Sequence, residues 1–513
     1  MDSIRHIVRV FSIARALARH DALFILKSAK IEPMAVWVAG LLGHKKSTLR
    51  PGQRLAGALQ EMGPSFIKLG QMLATRPDLL GEEIASDLSH LQDKLPPFAS
   101  HLAKAEIERE FTKPLNEIFS KFDDTPVAAA SIAQVHFALT PNGQEVAVKV
   151  LRPNIEQSFQ KDLDLFFWAA KLIEHTRPEL KRLKPLEVVK TLARSVEMEM
   201  DLRFEAAAAS ELQENFKGDD SFVVPDVDWS RTGKRVLTTS RVHGVSMVDG
   251  DTVAKAGHDP LDILEKTAGA FFMQVFRDGF FHADMHPGNV FVTADGAIAV
   301  VDFGIMGRID KPTRRHLAEL LMAFLARDYR RAAEVHFEAG WIPFGQSVDE
   351  FTQACRSIAE PVLDKPQNEI SIATLLGQLF QITETFKMET QPQLLLLQKT
   401  MLVAEGTGRK LAPDANMWFI ARPLIERWMR ENLGPEARIK DTASEGVAML
   451  KRLPRLVRGM EQVLADFEKG GLKLHPDTVR AMRGERGVKS TKHTFLLSII
   501  GVLLVFWLIS LLF

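Results

Sequence analysis

Residues 282–304, HADMHPGNVFVTADGAIAVVDFG, constrain the fold more than any other stretch of this chain. Two apolar runs flank Asp295-Gly296, a dipeptide that favours a tight turn, so the segment is predicted to form an antiparallel hairpin. This pairing would bring Asn289, just before the first strand, next to Asp302, just after the second. A carboxylate and an amide oxygen side by side are hard ligands, which suit Mg²⁺ shared with phosphates better than zinc.

Asp284 lies on the loop that enters the hairpin, where its carboxylate could accept a proton from a hydroxyl group. The pattern H-x-D-x-x-x-x-N followed by DFG resembles the catalytic loop and the magnesium-binding motif of protein kinases, with Ala283 where most kinases carry arginine. DFG alone is weak evidence for a kinase-like site, but DFG after a hairpin that begins with H-x-D-x-x-x-x-N is specific evidence. Two alternatives stay open: a metal cluster of His282, Asp284 and His286, and ordinary surface acids.

A strand lysine and an acidic partner are expected upstream. Residues 127–152 read as strand, turn and strand, and Lys149 in VAVK is predicted to pair with nucleotide phosphates and with a glutamate of a following helix. The stretch EMEMDLRFEAAAAS offers Glu199, Asp201 and Glu205, of which Glu205 is favoured. The predicted cofactors are therefore ATP and Mg²⁺. The predicted catalytic residues are Lys149, Asp284 and Asp302, and the predicted metal ligands are Asn289 and Asp302.

The loop that should cover the phosphates is unusual. Kinases use glycines there so that the backbone can approach phosphate, whereas residues 127–136, VAAASIAQVH, contain none. Each Cβ obstructs that approach, so the phosphates are predicted to be held differently; a plain alanine-rich turn is the alternative. The predicted nucleotide-binding residues are Ala128, Ala129, Ala130, Ser131, Val135, Lys149, Glu205, Asn289 and Asp302.

KLGQ at 68–71, the alanine loop, and E-M-D at 199–201 together resemble the UbiB family of atypical kinase-like proteins, which is associated with ubiquinone biosynthesis. The resemblance covers roughly residues 20–440. It implies that ATPase-type chemistry is favoured over phosphorylation of proteins in trans. Ubiquinone precursors and other ubiquinone-biosynthesis proteins are the partners that it implies.

The same resemblance implies a regulatory contact, in which Lys68 and Gln71 meet Glu199 and Asp201 and close the space where a peptide would lie. From the chain alone, Lys68 is merely a lysine in a largely apolar helix, where a surface position is the default. No APE motif follows DFG, and a helix is predicted to begin soon after it. This leaves little room for a peptide-docking segment.

The fold is predicted to be α+β and protein-kinase-like, with two lobes, a helical N-terminal extension and a C-terminal transmembrane helix. The predicted order is a helical extension (1–120) with the KxGQ motif, a β-rich nucleotide-binding lobe with inserted helices (121–250), a helical lobe with the catalytic loop and DFG (251–470), a basic linker (471–493) and an anchor (494–513). Lysine plus arginine equals aspartate plus glutamate at 65 each, which argues against a nucleic-acid partner. A single cysteine excludes an internal disulfide.

Residues 494–513, TFLLSIIGVLLVFWLISLLF, carry no charge and are long enough to cross a bilayer as a helix. Basic residues before them predict that the preceding chain is cytoplasmic. The resemblance to the UbiB family implies its bacterial, membrane-bound branch, with the anchor in the inner membrane and in contact with membrane lipid. At the other end, Ile4, Ile7, Val8 and Phe11 mark an amphipathic helix. This helix either docks on the protein's own core or binds anionic lipid.

Three functions remain open. The first is a Mg-dependent ATPase or atypical kinase that supports ubiquinone synthesis. The second is a non-catalytic, nucleotide-switched scaffold or lipid chaperone for the hydroxylation of quinone precursors and for assembly. The third is a small-molecule kinase of the aminoglycoside-phosphotransferase type, which shares the H-x-D-x-x-x-x-N loop but lacks the KLGQ extension.

Overall fold

The structure is a computed structural model of the 513-residue chain. It describes residues 2–25, 47–74, 80–89, 91, 96–176, 185–343, 345–361, 382, 385–388, 392–415 and 417–433. The chain divides into two units, Met1–Arg430 and Glu431–Phe513. All but three residues of the second unit lie outside the described residues, as does the predicted linker, so the fold given below is that of the first.

The N-terminal region is helical. Its helices are α1 (Asp2–Arg19), α2 (Pro51–Met62), α3 (Pro64–Ala74), α4 (Glu82–Ser89), α5 (Ser100–Phe111) and α6 (Leu115–Ile118). Gly63, with a φ of 103°, ends α2, and Pro64 begins α3. Leu17 of α1 is buried with Leu55 and Phe66, so α1 docks on the protein's own core.

A five-stranded antiparallel sheet follows. Its strands are β1 (Lys121–Phe122), β2 (Ala128–Ala129), β3 (Ala133–Leu139), β4 (Glu145–Leu151) and β6 (Val236–Ser240). The strands pair in the order β1-β3-β4-β6, and β2 pairs with β3. The predicted strand–turn–strand is confirmed as β3 and β4, with Gly143 at a φ of 81° in the turn. This register places Val135 directly opposite Lys149.

The helical stretch predicted between the strands is divided into α7 (Ile155–Thr176), α8 (Pro185–Glu199) and α9 (Leu202–Asn215). Asp201 separates the last two because its carboxylate accepts a hydrogen bond from the Arg203 backbone N–H and caps α9. Leu202 and Ala206 bury one face of α9 in a cluster shared with Leu151 of β4. This packing fixes α9 behind the sheet.

The predicted hairpin is confirmed as β9 (Val290–Val292) and β10 (Ile298–Val300), which pair antiparallel. Gly296 occupies the turn with a φ of 80°. The hairpin belongs to a four-stranded sheet in the order β5-β10-β9-β7, in which β10 is parallel to β5. The flanking strands are β5 (Phe222–Val223) and β7 (Val245–Ser246).

The segment before the hairpin is helical as far as Asp278. Helix α11 (Pro260–Phe272), which follows the short α10 (Gly250–Lys255), passes into a π-helical turn, Met273–Asp278. Gly279, with a φ of 67°, then ends the helical segment. Phe280–His282 forms β8, which pairs with β11 (Met306–Arg308) just after the DFG motif.

The described residues after β11 are mostly helical, as predicted. Their helices are α12 (Lys311–Leu325), α13 (Tyr329–Glu338), α14 (Val348–Ala359), α15 (Pro392–Leu411) and α16 (Met417–Leu433). Leu397 of α15 is buried in a cluster with Phe281 and Ala283, so α15 lies directly against the catalytic loop.

The predictions of a transmembrane anchor and of an inner-membrane localisation are corrected. Among the described helices none is both long enough and apolar enough to cross a membrane. Helices α7 and α15 have sufficient length, but charged residues such as Asp162 and Lys399 interrupt them. Residues 494–513 lie outside the described residues.

Candidate nucleotide and metal site

Three charged side chains from distant parts of the chain meet at one point. The Lys149 Nζ lies 2.8 Å from Glu205 Oε1 and 2.9 Å from Glu205 Oε2. The same Nζ lies 2.9 Å from Asp302 Oδ1. The side chains of Lys149 and Glu205 are 14% and 8% exposed, whereas that of Asp302 is 46% exposed. The triad is therefore open to solvent, and to a ligand, on the side of Asp302.

The fold fixes each member of the triad separately. Lys149 is held in the middle of β4 by neighbours on both sides, Val135 of β3 and Leu237 of β6. Glu205 lies in the first turn of α9. Asp302 follows β10 directly and has a φ of 65°, a left-handed conformation that is uncommon outside glycine and recurs at functional sites.

The charges of the triad change the proton affinities of its members. Burial by itself lowers the pKa of Lys149, but the carboxylates of Asp302 and Glu205 outweigh it and raise that pKa above its ordinary value. Burial raises the pKa of Glu205 to about 7 against the opposing effect of Lys149. Desolvation by its neighbours would raise the pKa of the half-exposed Asp302 carboxyl group, but the charge of Lys149 and its hydrogen bond outweigh this effect and hold the pKa below its ordinary value. Lys149 therefore stays charged while two carboxylates share it.

The predicted metal ligands lie at the open ends of the hairpin. The Val301 backbone N–H donates to the Asn289 carbonyl at 2.9 Å, so Asn289 is opposite the residue that precedes Asp302. The Asn289 Nδ2 donates to the Asp284 carbonyl at 3.1 Å, which leaves the Oδ1 as the ligand atom of this side chain. Within the described residues, no group of three or more His, Cys, Asp or Glu side chains could hold a metal. A carboxylate and an amide oxygen fit Mg²⁺, which keeps waters and phosphates as its other ligands.

The catalytic loop contains a histidine that the fold uses structurally. The Asp284 backbone N–H donates to His282 Nδ1 at 3.2 Å, so the proton of the ring lies on Nε2, which donates to the Val301 carbonyl at 3.1 Å. Burial lowers the pKa of His282, which keeps the ring neutral. Both ring nitrogens are thus occupied, and this arrangement disfavours the alternative of a histidine metal cluster. The Asp284 carboxylate lies 3.3 Å from the Lys399 Nζ and 3.8 Å from the His286 Nε2.

The alanine-rich loop forms a short strand and a tight turn. Ala128 pairs with Val135, and the Ala130 backbone N–H donates to the Ala133 carbonyl at 2.8 Å. The guanidinium of Arg152 donates to the Ala130 carbonyl at 2.8 Å and 3.1 Å. Ser131 is almost completely buried. The loop is thus held by its own turn and by an arginine that follows β4.

The implied regulatory residues are only partly brought together. Lys68 of α3 lies 2.8 Å from Glu199 Oε2, and the two side chains are 10% and 14% exposed. Asp201 caps α9, where hydrogen bonds from Arg203 lower the pKa of its carboxyl group. The Oε1 of Gln71 is buried without a hydrogen-bond partner in the described part of the chain.

Three residues near the site, Arg152, Lys399 and Thr400, were not predicted from the sequence. No motif marks Arg152, because an Arg-Pro pair after a strand is common. Lys399 and Thr400 carried a usable signal, because they belong to a polar triplet, Gln398-Lys399-Thr400, within the otherwise apolar run LLLLQKTMLV of α15.

Comparison with known proteins places the site in a family. The ABC1 atypical kinase-like domain matches residues 90–336, and the UbiB helical domain matches residues 355–416. A protein of Marinobacter nauticus named "Probable protein kinase UbiB" is 44% identical over 470 residues, which are 90% of this chain and 86% of that protein. The chain belongs to the UbiB family. Proteins with the same name from Pseudomonas aeruginosa and Aeromonas salmonicida are 40% and 42% identical, over 89% and 83% of this chain and 87% and 82% of theirs.

The UbiB family match covers the whole candidate site. Lys149, Glu205 and Asp302 lie within the ABC1 atypical kinase-like domain, and Lys399 lies within the UbiB helical domain. The resemblance to this family and a mixed helix and strand, kinase-like fold are thereby confirmed. A solved Mycobacterium tuberculosis protein, Rv3197 in complex with erythromycin, is 24% identical and aligns over 72% of this chain and 93% of its own, with a TM-score of 0.49.

Proposed function

We propose that this UbiB-family protein binds MgATP and uses it in ATPase or kinase-type chemistry that supports ubiquinone biosynthesis. The observation that supports the proposal is the contact of Lys149 with both Glu205 and Asp302, at 2.8 Å and 2.9 Å. A strand lysine, a helix glutamate and the aspartate of DFG are the parts that kinases assemble around nucleotide phosphates. The link to ubiquinone, and ubiquinone precursors and related biosynthetic proteins as partners, rest on the family resemblance.

Each residue has a definite task under this proposal. Lys149 binds nucleotide phosphate, and Glu205 orients its ammonium. Asn289 and Asp302 hold Mg²⁺, which would neutralise phosphate charge when bound. Asp284 accepts the proton of the attacking hydroxyl group. The contact between Lys68 and Glu199 is proposed as regulatory, because it ties the N-terminal extension to the last residue of α8.

Substitution of Asp302 tests the proposal. In the purified full-length chain, Asp302→Asn is expected to remove Mg-dependent ATP binding and to lower ATP hydrolysis by about 10²-fold or more, because a charged metal ligand is lost. Asp295→Asn, the same change at an exposed turn of the same hairpin, is the matched control and should leave both unchanged. Mg-dependent ATP binding that survives in Asp302→Asn would contradict the assignment.

The ion pair between Lys149 and Asp302 favours the second candidate function, a nucleotide-switched scaffold. The Lys149 ammonium lies on Asp302, where the metal would be, so MgATP must rearrange an internal ion pair to bind. Asp284→Asn should bind ATP without hydrolysing it. Restored ubiquinone production by this variant, in a bacterium that lacks its own UbiB protein, would favour the scaffold. Failure of a normally expressed, ATP-binding Asp284→Asn variant would favour the enzyme.

A further inference from the structure

A lysine from outside the kinase-like domain contacts the proposed proton acceptor. The Nζ of Lys399 lies 3.3 Å from Asp284 Oδ1, and the two side chains are 30% and 27% exposed. Lys399 belongs to α15, within the region that matches the UbiB helical domain. The pair is neither a loose surface pair nor sealed from solvent, so a ligand could take the place of one partner.

The position of Lys399 is fixed by its neighbours in α15. Thr400 is fully buried, and its hydroxyl lies 3.1 Å from the Ala283 carbonyl and 2.9 Å from the Leu396 carbonyl. Leu397 is buried against Phe281 and Ala283. Because residues on both sides of Lys399 are held against the catalytic loop, its backbone cannot move away from Asp284 without breaking this packing.

The catalytic loop lacks a permanent positive charge of its own. Its sequence, HADMHPGN, contains neither lysine nor arginine. Lys149 is occupied by Glu205 and Asp302 on the nucleotide side. Phosphoryl transfer spreads negative charge over the oxygens of the transferred group, and kinase-type sites place fixed cations there. Lys399, whose Nζ lies beside the Asp284 carboxylate, is placed to supply such a charge on the acceptor side.

We infer that Lys399 contacts the γ-phosphoryl group of bound ATP and stabilises its charge during transfer. The inference rests on the proposed function, since it requires ATP at this site. Asp284 must lie beside the attacking oxygen to accept its proton, so an ammonium 3.3 Å from that carboxylate is within a side-chain movement of the phosphoryl group. A lysine of the UbiB helical domain thus completes the site of the kinase-like domain.

The step balances with water as the acceptor. The water oxygen forms a bond to the γ-phosphorus, while the bond from that phosphorus to the β–γ bridging oxygen breaks. The electron pair of the broken bond leaves with ADP, and the proton of water passes to Asp284. Lys399 gains and loses no proton; its ammonium offsets charge on the transferred oxygens.

Nucleotide discrimination tests the inference. The affinities of the full-length wild type, Lys399→Met and Lys399→Arg for MgATP and for MgADP are measured by calorimetry, together with ATP hydrolysis. Lys399→Met is expected to weaken MgATP binding about tenfold, to change MgADP binding less than about twofold, and to lower kcat about 10²-fold. Lys399→Arg keeps the charge and should retain part of the discrimination.

Lys410→Met is the matched control, because Lys410 is an exposed lysine of the same helix. It should leave both affinities and kcat unchanged. If Lys399→Met weakens MgATP and MgADP binding by the same factor, so that the ratio of the two affinities is unchanged, Lys399 has a general structural role and the inference is overturned. A wild type that fails to bind MgATP would overturn the proposed function and this inference together. Normal wild-type binding with an unchanged ratio would overturn the inference alone.

Discussion

Asp302, the proposed metal ligand of the DFG motif, has a strained backbone conformation. A φ of 65° is costly for a residue with a Cβ, of the order of 1 kcal/mol or more, and it persists only where neighbours hold it. Here the antiparallel pairing of β10 fixes the preceding residues, and Lys149 holds the carboxylate. A Cβ on Gly304 would lie 3.3 Å from Asp302 Oδ1 and 3.9 Å from Glu205 Oε2, so the glycine of DFG leaves room for the two acids. The strained backbone of Asp302 and the missing side chain of Gly304 thus both lie at the cluster of Lys149, Glu205 and Asp302.

The raised pKa of Glu205 makes a signed prediction about stability. Burial raises this pKa from an ordinary 4.5 to about 7, so the folded protein binds the proton more tightly than the unfolded chain. The stabilising contribution of the group is therefore complete below pH 4.5 and is lost as the pH rises through about 7. Glu205→Gln does not titrate. The difference in free energy of unfolding, wild type minus Glu205→Gln, should fall between about pH 5 and pH 8, as measured by urea denaturation.

Asp295→Asn is the control for this pH dependence. A hydrogen bond from Thr293 lowers the pKa of Asp295 below its ordinary 3.8, so its contribution is lost only as the pH falls into the acid range. The corresponding difference for Asp295→Asn should stay level between about pH 5 and pH 8. If the difference in free energy of unfolding between the wild type and Glu205→Gln instead rises with pH, then Lys149, and not burial, determines the pKa of Glu205.

At the scale of elements, one arginine links the alanine-rich loop to the N-terminal extension. The guanidinium of Arg152 donates to the Ala130 carbonyl at 2.8 Å and to the Pro96 carbonyl at 2.9 Å. It also lies over the ring of Phe98, 5.5 Å from the centroid. The loop is therefore restrained in two ways: its alanines narrow the accessible backbone conformations, and Arg152 holds its carbonyl.

Loss of either restraint should loosen the loop. Arg152→Met and Ala129→Gly are each expected to speed amide hydrogen exchange at Ala130 about tenfold, since the Ala130 N–H bonds within the turn that both restraints hold. Ala129→Gly should in addition raise nucleotide affinity or autophosphorylation, because a Cβ that obstructs phosphate is removed. Arg330→Met, at an exposed arginine of α13, is the control. Unchanged exchange in Arg152→Met would show that the alanines alone restrain the loop.

The elements that sequence reasoning predicted share a local signal. The hairpin could be predicted because Asp295-Gly296 separates two apolar runs, and β3 and β4 because Asn142-Gly143 does the same. Strands β8 and β11 have three residues each and no period to detect, and their pairing depends on the chain between them. Arg152 and Lys399 act through contacts with backbone and side chains that are distant in the sequence. Motif spacing thus predicted Lys149 and the acids of the site, whereas the positions of Arg152 and Lys399 beside them depend on tertiary packing.

At the scale of the whole molecule, the N-terminal extension is part of the nucleotide-binding lobe. Leu69 and Met72 of α3 pack against the cluster that contains Leu151 and Ala206. Leu151 ends the strand that carries Lys149, and Ala206 follows Glu205 in α9. The KxGQ helix and the proposed phosphate lysine are therefore coupled through one hydrophobic core, and a movement of either would disturb the other.

The ion pair between Lys68 and Glu199 should fasten this extension. Lys68→Met leaves a mostly buried Glu199 without this lysine, which should destabilise the docking of α3 by about 2–4 kcal/mol and speed amide exchange throughout that helix. The double variant Lys68→Met/Glu199→Gln removes the stranded charge and should recover much of that loss. Lys190→Met breaks a lysine–glutamate pair of similar length, 2.8 Å, whose side chains are 47% and 62% exposed, and should cost less than about 1 kcal/mol. Equal effects of Lys68→Met and Lys190→Met on exchange in α3 would contradict the coupling.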